Sequence, residues 1–355
     1  MRVIAFGTYQ RDYPRNALVR SCLRRAGVEV SERHISVWDD RRDAWSAGLG
    51  TLGRLAIAEA QLAVRRVKPA DAVLVGYPGH LDVPSARIAA RGRPIVFDPL
   101  VSLFDTLVDD RRRFAARSLT GRALLEVDRM AFRNADLVVA DTDAHAAFYE
   151  DRFGLAPERL CVCRVGADER LFQPRPQPPA AFQALFVGKL IPLHGVETIL
   201  AAARLATDVP FRIVGSGQLD RKLDGAAANV EHIPWVEYKR LPSELHRAGC
   251  ALGVFGTSAK AQRVIPNKAY QALACGVPLV TGDTPAAREL LTSGHDALLV
   301  PPGDAALLAE AVRLLANDEG VAARIGATGR ETFLRTASES ILGARWRDLL
   351  ERLSA

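Results

Sequence analysis

Short apolar runs rich in β-branched residues alternate along the chain with longer segments in which apolar residues recur every three or four positions. The first pattern indicates buried parallel strands, and the second indicates amphipathic helices. The strand-like runs lie at 2–7, 28–35, 71–77, 94–99, 136–141, 160–166, 184–190, 211–217, 229–235, 250–256, 277–283 and 296–302. This alternation predicts an α/β protein with two Rossmann-like parallel-sheet domains.

A proline segment separates the two halves of the chain. Residues 174–179 contain four prolines, which can neither continue a helix nor pair in the middle of a sheet. We therefore predict an N-terminal domain at 1–173, a stiff linker at 174–180 and a C-terminal domain at 181–335. The last amphipathic segment, about 336–355, is predicted to be a helix that packs back onto the N-terminal domain.

The composition of the chain limits the classes of protein to which it can belong. The chain has 355 residues, is 48% hydrophobic and carries a net charge of +6, so it can bury two cores and has a small basic excess. Basic residues do not interleave with aromatic residues along a stripe, so no nucleic-acid partner is predicted. No run approaches the ~20 apolar residues that span a bilayer. The five cysteines and a start that turns polar after residue 7 predict a cytoplasmic protein, and Cys161 and Cys163 are expected to serve packing rather than metal binding.

Candidate chemistry follows the strands of the second half. Ligands of parallel α/β sheets bind beyond the carboxyl ends of the strands. Polar, basic and glycine residues follow three of these strands: Gly188, Lys189 and His194; Gly215 and Gly217; Lys260, Arg263 and Lys268. Glycines, cations and helix N-termini on one sheet edge favour a phosphate-rich ligand. No metal site is predicted.

The stretch 263–282 contains a polar pair beside a buried strand. Asn267 is predicted to cap a short helix that ends at Gly276. Lys268 and Gln271 then share one side of the helix at the ligand edge. The alternative is a surface helix whose Lys and Gln are solvated.

These features resemble the group-1 glycosyltransferases, the family-four retaining enzymes of the GT-B fold. The resemblance covers nearly the whole chain, and the order and spacing of the similar stretches match those of the family in both halves. The stretches that carry it are "ADLVVADTDAHAAFYEDRFG" (135–154), "VGADERLFQP" (165–174), "FVGKLIPLHGVETILAAARL" (186–205), "FRIVGSGQL" (211–219), "IPNKAYQALACGVPLVTGDTPAARELL" (265–291) and "DALLVPPGDAALLAEAVRLL" (296–315).

The resemblance implies two domains facing a cleft and a nucleotide-diphosphate sugar bound by the C-terminal domain. It implies no metal and no cofactor, because protein cations and helix N-termini neutralise the diphosphate. Lys189 matches the first of two diphosphate-binding cations, and His194 stands where the second, usually Lys, is found. Gly215 and Gly217 match the loop after the second strand. Trp235 and Val236 match the region that contacts the base.

The family's paired glutamates are replaced here. Alignment on Gly276 places Gln271 at the second Glu, which accepts hydrogen bonds from the ribose, and Arg263 at the first. An amide oxygen still accepts a hydrogen bond, but without a charge each bond is expected to be weaker by about 1 kcal/mol.

On the acceptor side, His80 and Asp98 follow adjacent strands of the first half and are the candidate catalytic residues near the anomeric carbon. For His80 the alternative is an ordinary surface-loop histidine. The segment 41–67 mixes arginines with Trp45, Leu52 and Ile57, so it either lies on a membrane or covers the sheet.

The sequence therefore predicts a cytoplasmic retaining glycosyltransferase that uses a nucleotide-sugar donor and a glycan or lipid-linked acceptor, with peripheral contact to the inner membrane face. Two alternatives remain. A nucleotide-sugar epimerase would convert its sugar without an acceptor, and a non-catalytic nucleotide-sugar-binding protein would bind the donor without turnover.

Overall fold

A computed structural model of the chain describes residues 1–38, 49–64 and 67–354. Contacts divide the chain into unit 1, Met1–Arg164 with Glu339–Ala355, and unit 2, Val165–Ser338. The sequence analysis placed the corresponding boundary at residue 173. None of the helices within the described residues has the length and apolar composition that a membrane crossing requires.

Unit 1 is built on one parallel six-stranded sheet. Its strands are β1 (Arg2–Gly7), β2 (Glu29–His34), β3 (Ala72–Val75), β4 (Ile95–Phe97), β5 (Leu137–Ala140) and β6 (Leu160–Val162). Its first helices are α1 (Pro14–Arg25), α2 (Leu49–Val64), α3 (Asp82–Ala90), α4 (Leu119–Asn134) and α5 (Asp143–Phe153), with a π-helix at Asp105–Asp110. The strand order is β2-β1-β3-β4-β5-β6, so the direction of winding changes between β1 and β3. Ligands of such sheets bind at that change of direction.

Unit 2 contains a second parallel sheet of six strands. They are β7 (Ala184–Val187), β8 (Phe211–Val214), β9 (Val230–Ile233), β10 (Cys250–Leu252), β11 (Leu279–Gly282) and β12 (Leu298–Val300). The helices are α6 (Val196–Leu205), α7 (Leu241–Arg247), α8 (Asn267–Ala274), α9 (Pro285–Arg288), α10 (Ala305–Asn317) and α11 (Glu319–Thr336). The order β12-β11-β10-β7-β8-β9 is that of the dinucleotide-binding fold, and its winding reverses between β7 and β10.

Every predicted strand is present, and most end earlier than predicted. The run 184–190, for example, forms a strand only as far as Val187, because Gly188 turns the backbone to φ +150°. The strands are largely buried because helices cover the sheets, and this explains their continuous apolar runs.

The chain returns to unit 1 through its last helix, α12 (Glu339–Ser354). Trp346 of this helix is 1% exposed within the unit 1 core. Ser21 of α1 donates a hydrogen bond to Glu339 over 2.9 Å, and Arg345 Nε donates to the Val162 carbonyl over 3.2 Å. Apolar packing and polar contacts together tie the C-terminal residues to α1 and β6.

Candidate functional site

The loops that follow β7 and β10 meet where the winding of the unit 2 sheet reverses. The Phe255 N–H donates to the His194 carbonyl over 3.1 Å. The His194 ring packs edge-on against Phe186, with 5.6 Å between the ring centroids. His194 Nδ1 lies 2.5 Å from the Lys189 carbonyl oxygen. A carbonyl can only accept, so Nδ1 is the donor, and this bond fixes the orientation of the imidazole.

The loop after β8 lies directly against the loop after β7. Gly215 has φ +140°, and a Cβ built on it would come within 1.9 Å of the Gly188 carbonyl oxygen. His232 Nε2 donates to the Gly215 carbonyl over 2.8 Å. The Gly217 N–H donates to Asp220 Oδ1 over 2.5 Å. Glycine is therefore required at 215, and the two backbones form a surface that a phosphate group can approach closely.

Lys268 lies beneath this surface. Its Nζ is 3.8 Å from the centroid of the Phe186 ring, and a Cβ built on Gly188 would lie 2.9 Å from that nitrogen. The nitrogen is buried, and no residue in the described ranges provides it with a hydrogen-bond partner. Burial lowers the pKa of Lys268 well below its ordinary value. The structure thus places an amine without a counter-charge beside His194 and Gly188, and the alternative of a solvated lysine is wrong.

Gln271 joins α8 to the segment that follows β9. Its side chain is buried, and Nε2 donates to the Tyr238 hydroxyl over 3.3 Å. Tyr238 packs edge-on against Phe172 at 5.7 Å. The alternative of a solvated Gln271 is therefore wrong. Tyr238 is a site residue that sequence reasoning missed, because no spacing rule links it to α8.

The predicted cap of α8 is also wrong. Asn267 is the first helical residue, and the cap position belongs to Pro266, which is extended and makes no side-chain capping bond. Proline fixes φ and sets the direction in which the helix begins.

The other predicted donor residues lie on neighbouring segments. Lys189 is exposed directly after Gly188, and Arg263 is half-buried in the segment that leads from β10 to α8. Trp235 is 58% exposed and Val236 half-buried, three and two residues before Tyr238. The structure thus brings Gly188, Gly215, His194 and Lys268 together. The donor-binding role of every predicted residue stays a prediction.

In unit 1, His80 is an interior residue. It is 1% exposed, and its Nδ1 lies 2.9 Å from the Pro78 carbonyl. Its Nε2 is 3.3 Å from Asp128 Oδ1, and its ring packs edge-on against Phe97 at 5.1 Å. The alternative of a surface-loop histidine is wrong, while catalytic action by His80 stays a prediction.

Asp98 forms a buried ion pair with Arg15. Arg15 Nε and Nη2 donate to the two carboxylate oxygens over 2.8 and 3.2 Å, and Nη2 also donates to the Cys163 carbonyl over 3.0 Å. Burial raises the pKa of Asp98, while the Arg15 guanidinium works in the opposite direction. This ion pair shows that Asp98 contributes to the interior structure of unit 1. A catalytic role of Asp98 stays a prediction.

A pair of carboxyl groups lies where the winding of the unit 1 sheet changes. Asp82 Oδ1 accepts from the Thr8 hydroxyl over 2.8 Å. Burial, together with the neighbouring Asp82 carboxyl, raises the pKa of Glu59 to about 10. The Glu59 carboxyl is therefore protonated near neutral pH. Sequence reasoning missed this pair because Glu59 and Asp82 lie on different helices.

The cysteines of β6 and its continuation are buried thiols. Burial raises the pKa of Cys161 to about 12 and that of Cys163 to about 11. Across residues 1–38, 49–64 and 67–354, no cluster of His, Cys, Asp or Glu has the arrangement that would hold a metal ion.

The segment 41–67 is described only from residue 49, without residues 65 and 66; its remainder lies outside the described residues. Within it, α2 buries Leu55, Ala58 and Leu62 against unit 1. Its other face exposes Leu52, Ile57 and Val64, at 51, 62 and 81%. The segment therefore covers unit 1 and also presents apolar side chains to solvent.

Comparison with known proteins identifies the class. Residues 181–318 match the family model described as Glycosyl transferases group 1. The D-inositol 3-phosphate glycosyltransferase 1 of Catenulispora acidiphila is 29% identical over 250 residues, which cover 62% of this chain and 56% of that protein. The phosphatidyl-myo-inositol mannosyltransferase of Mycobacterium leprae is 30% identical over 161 residues, covering 42% of this chain and 41% of that protein. The chain thus spans about half the length of these relatives.

Solved structures show the same fold. Sucrose-phosphate synthase from Thermosynechococcus elongatus superposes with a TM-score of 0.75 at 18% identity, over 99% of both chains. Anabaena HepE in complex with UDP-glucose gives a TM-score of 0.71 at 18% identity, over 99% of this chain and 100% of that one. The fold is GT-B, and residues 181–318 are similar to the group 1 glycosyltransferases. The fold inferred from the sequence is confirmed, and the inferred family is supported over residues 181–318.

Proposed function

We propose that this protein is a retaining, metal-independent glycosyltransferase that moves a sugar from a nucleotide-diphosphate sugar to a hydroxyl of a glycan or lipid-linked saccharide. Unit 2 is assigned the donor, and unit 1 the acceptor. The similarity to group 1 glycosyltransferases supports the class of reaction, and the similar structures of Anabaena HepE are complexes with UDP and with UDP-glucose.

The observation that carries the proposal is the contact of two main chains above an unpaired amine. Gly188 and Gly215 touch where the winding of the unit 2 sheet reverses, and Lys268 lies beside them with no partner in the described chain. A phosphate group suits this arrangement, because backbone N–H groups and cations are its preferred partners. A neutral, apolar ligand would leave the amine uncompensated.

In the proposed mechanism the protein stabilises the diphosphate as it leaves the anomeric carbon. Negative charge grows on the phosphate oxygens in the transition state, and Lys189, His194 and Lys268 lie at the sheet edge where that charge can be compensated. Gln271 accepts from a ribose hydroxyl while its amide nitrogen stays bound to Tyr238. Because these groups are protein cations and dipoles, transfer is expected to persist in the presence of a chelator.

Replacing Lys189 with alanine is expected to weaken nucleoside diphosphate binding about tenfold or more. A hydrogen bond to a charged group contributes about 1.5–3 kcal/mol, and each 1.4 kcal/mol is a factor of ten. A thermal-shift screen of UDP, GDP, ADP, dTDP and their sugars first identifies the base, since a ligand of the native state raises the unfolding midpoint. Calorimetry then compares the two proteins.

Lys222→Ala is the control for this prediction. Lys222 is an exposed lysine of unit 2 that pairs with Glu197 over 2.7 Å, and a surface pair of this kind contributes little. Equal affinity of a folded Lys189→Ala variant and the wild type would refute the role of Lys189. Incubating the identified donor without an acceptor tests the alternatives. Conversion of the sugar would indicate an epimerase, and donor binding without turnover in any acceptor mixture would indicate a binding protein.

We also propose that α2 contacts the cytoplasmic face of the inner membrane, where a lipid-linked acceptor would be available. Its exposed apolar residues Leu52, Ile57 and Val64 accompany the exposed Arg54 on a chain of net charge +6. Apolar side chains beside positive charge favour an anionic lipid surface.

Replacing Ile57 with glutamate is therefore expected to reduce binding to anionic vesicles about tenfold or more, because burying one Ile side chain stabilises by about 1.5–3 kcal/mol. Co-sedimentation with vesicles that contain phosphatidylglycerol measures the bound fraction. Leu205→Glu, at a 51% exposed position on α6 of unit 2, is the matched control. Equal sedimentation of the two variants would contradict the assignment to α2.

A further inference from the structure

Within the described parts of the chain, the surroundings of Lys268 contain no counter-charge for an ammonium group. Its Nζ faces the Phe186 ring at 3.8 Å and lies next to Gly188 and the Cε1 side of the His194 imidazole. Burial is the cause of its lowered pKa, with no contribution from a carboxylate. The ring offers a cation only partial compensation, since a cation–π contact is weaker than a buried pair of opposite charges.

The charged and titratable groups on the adjoining segments also fail to provide a counter-charge. Most of them are bases. Of the two carboxylates on those segments within the described chain, Asp220 is bound by the Gly217 N–H and Glu237 lies 4.0 Å from the Arg240 guanidinium. The Tyr238 hydroxyl accepts from Gln271. These groups are Lys189, His194, Asp220, Glu237, Tyr238, Lys239, Arg240, Lys260 and Arg263. An ammonium at 268 would therefore meet positive neighbours and an aromatic face.

A buried ammonium without a partner costs several kcal/mol, and a lysine in such a place loses its proton instead. An anion bound at the Gly188–Gly215 surface would instead favour the protonated, charged form of Lys268. Opposite charges within about 4–6 Å favour the charged form of both groups, and the effect is strong where water is excluded.

We propose that Lys268 is a neutral amine in the empty protein, takes up one proton from solvent when the donor's diphosphate binds, and releases it when the nucleoside diphosphate leaves. This inference rests on the proposed function and deepens it. Lys268 becomes a ligand-dependent counter-charge, present when the diphosphate needs it and absent when the site is empty. A nucleoside diphosphate carries more negative charge than its sugar ester, so proton uptake is expected to be larger with the product than with the donor.

Calorimetry of the full chain tests the proposal. The nucleoside diphosphate that gives the largest shift in the screen is titrated at one pH in HEPES and in Tris, whose heats of ionisation differ. The difference between the apparent enthalpies gives the number of protons taken up, with about one expected. Affinity is expected to rise as the pH is lowered through the range between the pKa of Lys268 in the empty and in the loaded protein, and to become constant below that range.

Lys268→Met is expected to bind the nucleotide at least tenfold more weakly and to lose this uptake. The variant should fold, because a buried amine without a hydrogen-bond partner is replaced by an apolar side chain of similar length. Lys268→Arg, whose charge is permanent, should bind without uptake. His194→Gln is the control for the neighbouring imidazole and should retain the uptake.

Two outcomes would overturn the proposal in different ways. Nucleotide binding by Lys268→Met with the proton uptake of the wild type would refute the role of Lys268 and leave the proposed function standing. Failure of the wild type to bind any nucleoside diphosphate would refute the proposed function, and with it this inference.

Discussion

Replacing Arg15 with methionine is expected to lower the free energy of unfolding by about 3–5 kcal/mol, because it leaves the Asp98 carboxylate buried without its partner. Arg15 is 1% exposed and Asp98 2% exposed, and their contacts of 2.8 and 3.2 Å are bidentate. Arg15 also donates to the Cys163 and Arg164 carbonyls, which would lose a partner. Urea denaturation, followed by circular dichroism and Trp fluorescence, measures the change.

The loss of stability caused by Arg15→Met is expected to be smaller at acidic pH. Burial already raises the pKa of Asp98, and removal of the guanidinium raises it further. An acid whose pKa is raised in the folded state binds its proton more tightly there than in the unfolded chain. Its stabilising contribution is therefore present below the unfolded pKa, about 3.9, and is lost as the pH rises through the folded pKa. The difference between variant and wild type should be smaller at about pH 5 than at about pH 7.

The double variant Arg15→Met with Asp98→Leu is the matched control. It removes both charges and fills their place with apolar groups, so it should recover most of the lost stability. A double variant as unstable as the single one would show that the ion pair is not the cause of the deficit.

Replacing Gly215 with alanine is expected to have the second large effect, a loss of about 2–5 kcal/mol of stability together with at least a tenfold loss of nucleotide affinity. The new methyl group would stand 1.9 Å from the Gly188 carbonyl, and φ +140° is a conformation that side chains rarely adopt. Overpacking and backbone strain each contribute about 1–3 kcal/mol. The loop after β7 must move away, and the surface assigned to the diphosphate moves with it.

Gly225→Ala is the control for Gly215→Ala. Gly225 also has a positive φ, +73°, but a Cβ built there meets no atom within 4 Å. The cost should be the left-handed strain alone, about 1–2 kcal/mol, with nucleotide affinity unchanged. Calorimetry and thermal denaturation of both variants make the comparison. Equal affinity for the nucleotide in the two variants would argue against the Gly188–Gly215 surface as the phosphate site.

The strands and their order along the chain could be predicted, because buried parallel strands are continuous β-branched runs and the helices between them have their own period. The same rule placed Gly188, Gly215 and Lys268 at one sheet edge. Their mutual distances could not be predicted. Phe186 lies on β7, and Lys268 lies on α8, which follows β10. Their proximity depends on the adjacency of β7 and β10, which is a property of the topology rather than of local sequence.

Side-chain environment was the other property that the sequence left open. His80 and Asp98 follow strands, as expected of site residues, yet their partners Asp128 and Arg15 come from helices distant in sequence. Spacing along the chain does not reveal such pairing. In the sequence, a polar residue at a strand end that is open to a ligand cannot be distinguished from one that is hydrogen-bonded in the interior. The predicted cap residue of α8 was wrong for a local reason, because Pro266 sets the start of the helix where Asn267 was expected to do so.

The return of α12 to unit 1 makes unit 2 an insertion within unit 1. Residues 165–338 are continuous, whereas unit 1 is assembled from the first and the last parts of the chain. During synthesis from the N-terminus, all residues of unit 2 leave the ribosome before α12 does. Unit 2 can therefore complete its fold first, whereas α1 and β6 lack their contacts with Trp346 and the rest of α12 until synthesis ends. This order is the reverse of the usual one, in which the N-terminal domain folds first.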